Sequence, residues 1–115
     1  MKAISMVFCG LFLASGNLIA DGPRLPRATD KTWLEECGSC HVAYPPSMLS
    51  ADNWRRMMGG LDKHFGANAS LDPASAERIT AFLERNASTR GERNASNTLR
   101  ITDTRWFVRE HDEVL

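Results

Sequence analysis

Cys37 and Cys40 stand three residues apart, and His41 follows at once. Two thiols on one helical turn can each add to a haem vinyl group, and the imidazole after them is placed to bind the iron. The run Cys37-Gly38-Ser39-Cys40-His41 is therefore read as the covalent attachment site of one haem c, with His41 as the proximal ligand. Two other chemistries use paired cysteines. A thioredoxin-like dithiol wants a βαβ pattern, and no strand of alternating apolar residues precedes Cys37. A structural zinc ion wants four ligands, and no second cysteine pair follows. The sixth iron ligand must come from His64, His111, Met48, Met57 or Met58, because His and Met are the usual side chains at that position in electron carriers. His64 is the first candidate and His111 the alternative; methionines more often fill core gaps than hold iron.

The elements around these residues can be read from caps and periodicity. Thr32-Trp33-Leu34-Glu35 fits a capping box, so a short helix is expected to run into the cysteine motif with Trp33, Leu34, Cys37 and His41 on one face. Tyr44-Pro45-Pro46 should stop it, since proline has no N–H and disfavours helix in the residue before it. Ser50 is a good N-cap for a second helix, with Asp52 in its first turn. Trp54, Met57, Met58, Leu61 and Phe65 then make one apolar stripe, with His64 at its edge near the helix end. Gly59-Gly60 weakens that helix and is easier to tolerate where a flat ring approaches the backbone. Asp72-Pro73 opens a third helix whose buried side is Ala76, Ile79, Phe82 and Leu83. Residues 87–97 read as a polar link in which Glu-Arg-Asn-Ala-Ser at 84–88 recurs at 92–96. Three Asn-Ala-Ser triplets match a glycosylation acceptor in form only, as loop composition explains them. Residues 102–114, with Trp106, Phe107 and Val108, can form a last short helix. Trp33, Tyr44, Trp54 and Phe65 are read as packing around the haem.

Residues 1–20 have the layout of a secretory signal: Lys2, then a largely apolar run, then small residues at Gly16 and Ala20. That run is too short to span a bilayer, so no stable membrane span is expected after cleavage. Residues 21–28, with Pro23 and Pro26, read as an extended lead-in, and the haem domain as 29–115. Export to the periplasm follows, and Cys9 would leave with the signal. The chain has fourteen basic and fourteen acidic residues, and loss of Lys2 leaves one excess acid. Arginines alternate with acids and form no basic stripe, which argues against nucleic acid as a partner. A domain this short buries a limited fraction of its surface, so an apolar cofactor tied in by two bonds can serve as core.

Several stretches taken together resemble the DHC-type dihaem cytochromes c. They are Glu36-Cys37-Gly38-Ser39-Cys40-His41, Ala43-Tyr44-Pro45-Pro46, residues 61–69, Arg100-Ile101-Thr102 and Trp106-Phe107-Val108-Arg109-Glu110-His111. The resemblance implies an all-α fold, a small c-type cytochrome of three to four short helices packed around a covalent haem. It implies a periplasmic electron carrier with bis-histidine haems, serving redox partner proteins such as an oxygen-binding monohaem cytochrome. In that family His64 and His111 would supply the two sixth ligands. The family also carries a second CxxCH beyond the His111 region, and this chain has only the first; a truncated product or a one-haem relative is expected. Electron transfer without catalysis is the leading expectation. The alternatives are a small-ligand-binding or sensor haem with an open sixth position, and a peroxidase-like enzyme using Arg55 or Arg56.

Overall fold

The computed structural model describes residues 29–89 and 97–112. The expected signal at 1–20, the lead-in at 21–28 and the second Glu-Arg-Asn-Ala-Ser at 92–96 lie outside the described residues. Among the described residues the chain is helical: α1 (Lys31–Cys37), α2 (Ala51–Met58), α3 (Pro73–Arg85) and α4 (Arg105–His111). Short 3₁₀ turns at Pro46–Met48, Leu61–Lys63 and Ile101–Asp103 join them.

Asp30, and not Thr32, caps α1. Its carboxylate accepts the Trp33 N–H at 3.0 Å and pairs with Arg78 of α3 at 3.0 Å. One side chain thus ends a helix and ties it to its neighbour, which a hydroxyl on Thr32 could not do from inside the first turn. The helix also stops earlier than the prolines require. Gly38 is its C-cap, with its N–H on the Leu34 carbonyl, and a Cβ at Gly38 would press into that oxygen. Cys37 is the last helical residue, and Gly38 to His41 leave the helix as a turn. Leu34, expected on the buried face, is half exposed.

Ser50 caps α2 as expected, accepting the Asn53 N–H at 3.2 Å. Gly59 and Gly60 then end the helix, with N–H groups on Arg55 and Met57 carbonyls. The expected stripe is thereby cut after Met58. Leu61–Lys63 is a 3₁₀ turn, and His64 sits at its C-terminal end. Backbone freedom at a glycine pair favours a break over continuation. Asp72 caps α3 through the Ser75 N–H at 3.0 Å, with Pro73 in the first turn. Thr104 caps α4 through the Phe107 N–H.

The core is a single cluster of Trp33, Leu49, Trp54, Ile79, Phe82, Leu83 and Ile101. Helix α3 supplies its floor and packs against both α1 and α2. Trp33 meets Phe82 at 5.2 Å between ring centroids, and Trp54 donates its indole N–H to the Pro46 carbonyl at 2.6 Å. That bond satisfies a buried donor and fixes the Pro46 turn beside α2. Met48, Met57, Met58 and Tyr44 lie half-buried against the same cluster.

Candidate haem site

The two cysteines leave α1 in different surroundings. Cys37 packs on the core cluster, and burial, then the charge of Glu36, pushes its thiol pKa up. Cys40 is exposed, with the Ser39 hydroxyl 3.7 Å from its sulfur. Both are free thiols. His41 Nδ1 donates to the carbonyl of Val42 at 2.8 Å. A carbonyl can only accept, so Nδ1 carries the proton and Nε2 keeps its lone pair, the tautomer a metal-binding imidazole needs.

His64 is brought to His41 from the other side of the chain's α2 segment. The two ring centroids lie 6.1 Å apart with planes 21° from parallel. By comparison, His111 lies on Phe107 at 3.9 Å, so the His41–His64 pair leaves a gap. A metal–imidazole bond of about 2.0–2.1 Å plus a ring half-width of about 1.2 Å, taken twice, gives about 6.5 Å. The observed spacing therefore fits one iron held between the two rings. His64 Nδ1 is buried without a hydrogen-bond partner, a costly state for a polar atom. Burial, and then the neighbouring His41, lower the His64 pKa. Both effects favour the neutral ring, which is the form that binds metal. Val42 and Phe65, next in sequence to the two histidines, leave apolar surface exposed beside the pair, at 68% and 49%. Tyr44 adds a ring 5.5 Å from His41.

The other sequence candidates fall elsewhere. His111 donates through Nδ1 to the Phe107 carbonyl at 2.7 Å, within its own helix. Met48 and Met58 pack on the core, whereas Met57 also lines a small cleft with His64. Arg55 is tied to Asp52 and Glu84. Trp33 and Trp54 belong to the protein core, each only 6% exposed. Three features of the site had no reading in the sequence: the Val42 carbonyl under His41, the left-handed backbone of Phe65, and Arg100 over the Phe65 ring at 4.4 Å. The first belongs to a backbone atom and the last depends on a long-range contact, so neither leaves a local signal.

The family profile of dihaem cytochromes c matches residues 33–115. The chain belongs to that family. Among solved structures it is similar to the dihaem cytochrome c of Rhodobacter sphaeroides at 38% identity and a TM-score of 0.70, covering 76% of each chain. A second structure, DHC purified from the same organism, aligns at 40% identity and a TM-score of 0.65, covering 75% of this chain and 73% of the other. The dihaem cytochrome c of Shewanella baltica OS155 aligns at 42% identity and a TM-score of 0.62, covering 74% of this chain and 63% of that one. Among curated proteins no relative matches. The expected all-α fold is thus the fold of the family, and the protein is a c-type haem cytochrome. No helix among the described residues is long and apolar enough to cross a membrane.

Proposed function

We propose that this cytochrome is a periplasmic one-electron carrier whose CxxCH segment binds one haem c, with His41 and His64 as axial ligands. The observation that carries the reading is the near-parallel His41–His64 pair at 6.1 Å. Cys37 and Cys40 would hold the macrocycle through thioether bonds. The haem supplies an iron that alternates between two oxidation states. The Val42 carbonyl keeps the His41 ring in one tautomer and orientation, and desolvation favours the neutral form of His64. Were His41 and His64 both to hold the iron, they would leave it no place for a substrate, which favours electron transfer over catalysis. Two histidines also give a lower reduction potential than a His/Met pair, since Met raises it.

Export to the periplasm rests on the signal-like residues 1–20. Redox proteins, among them an oxygen-binding monohaem cytochrome, are the partners that the family membership suggests.

The test is the absorption spectrum of the holoprotein, oxidised and reduced. Low-spin iron without the red absorption band of Met ligation is expected, and His64→Ala should become high-spin and bind carbon monoxide. A His64→Ala protein that stays low-spin would move the sixth ligand to His111 or a methionine. High-spin iron in the unaltered protein would instead favour a ligand-binding haem.

A further inference from the structure

Phe65 and Gly66 occupy the middle of a tight turn, with φ of 49° and 93°. The Ala67 N–H closes it on the His64 carbonyl at 3.0 Å. Left-handed backbone at both central positions is the type I′ pattern, which Asn and Gly adopt readily and a bulky aromatic residue does not. Such a conformation persists only where neighbours hold it. Two neighbours do so here. The Phe65 ring sits 4.9 Å from the His64 ring, and the Arg100 guanidinium carbon lies 4.4 Å from the Phe65 ring centroid.

Arg100 reaches this turn on a segment that is anchored independently. Arg56 and Asn53 of α2 donate to the carbonyls of Asn97 and Thr98. Ile101 is buried in the core. Between these anchors, Leu99 lines the cleft shared by His64 and Phe65, and Asp103 holds the Arg100 side chain at 3.7 Å. The backbone that carries Arg100 is therefore anchored, and its guanidinium lies against the Phe65 ring.

We propose that Arg100 and Phe65 are positioning residues for His64: their cation–π contact keeps the strained turn closed, and so keeps His64 at the spacing from His41 that a shared iron requires. This inference rests on the reading of His41 and His64 as the axial pair. Its consequence is kinetic. Release of the turn lets the His64 ring swing away, so the contact sets how often the distal side of the haem opens.

Carbon monoxide binding to the ferrous holoprotein reads this directly, because at saturating gas the observed rate is the rate at which His64 leaves. Arg100→Gln and Phe65→Leu should each raise that rate about two- to fivefold, the factor a partly exposed cation–π contact provides. The double variant should be no faster than the faster single variant, and Arg100→Lys should lie close to the unaltered protein. Arg100 is exposed, so its replacement leaves the core intact. An unchanged rate in Arg100→Gln, or single effects that multiply in the double variant, overturns the proposal. His64→Ala separates the two levels: if it stays low-spin, the axial assignment itself has failed, whatever Arg100 does.

Discussion

The turn that carries His41 leaves the end of α1, whereas the turn that carries His64 is closed by residues near the far end of the chain. On the His41 side the caps and the turn are local, although Asp30 also pairs with Arg78 of α3 and Trp33 rests on Phe82. Asp30 caps the helix, Trp33 anchors it in the core, Gly38 lets the chain leave it, and the Val42 carbonyl sets the ring. On the His64 side the helix breaks at Gly59-Gly60. His64 then stands on a 3₁₀ end followed by left-handed backbone, with Leu99 in the same cleft and Arg100 against the Phe65 ring. One half of the site is a local motif, and the other is a tertiary construction. The difference teaches that an attachment motif can be assembled largely from neighbouring residues, while bringing a second histidine to it needs the fold.

Four variants test that contrast, in falling order of effect. Replacing Cys37 and Cys40 together by alanine should abolish covalent haem, seen as loss of haem staining on a denaturing gel; retained staining would dismiss the attachment site. Trp33→Ala, which empties the core beneath α1, should cost about 3–5 kcal/mol in a denaturant titration. A small effect there would mean that α1 is held by the haem bonds and not by packing.

Gly66→Ala addresses the other half. The position has open space for a methyl group, so its cost should come from the left-handed backbone alone, about 1–2 kcal/mol. A neutral result would show that the turn readily adopts another shape. Asp30→Ala should cost about 1 kcal/mol, the usual worth of an N-cap. The Trp33 N–H, with Arg78 adding to it and burial opposing it, holds the Asp30 carboxyl below its ordinary pKa. Its contribution is therefore complete above about pH 4, the unfolded value, and drains away as pH falls through the lowered native one. The Asp30→Ala protein should lack that part of the acid slope in denaturant midpoints measured against pH.

Much of the fold could be read from caps. Ser50, Asp72 and Pro73 sit where helix starts demand an acceptor or can spare an N–H, and α2 and α3 begin there. Local sequence leaves the start of α1 ambiguous because Asp30 and Thr32 are both acceptable caps. Arg78, forty-eight residues away, favours the carboxylate. The stripe from Trp54 to Phe65 suggested one continuous helix because its spacing is helical, but two adjacent glycines and the turn after them prevailed over periodicity. His64 nevertheless stays beside Met57 and Phe65 of that stripe after the break.

The sequence by itself determined which residues can act as an attachment motif, because the chain holds Cys37, Cys40 and His41 at a fixed short spacing. It also determined the helical class and the α3 face that forms the core floor. Only the tertiary structure decided that His64, and not His111, meets His41. That choice depends on where the chain goes after Gly60 and on what residues 97–101 press against it, and neither distance nor direction between remote side chains is written in local propensity.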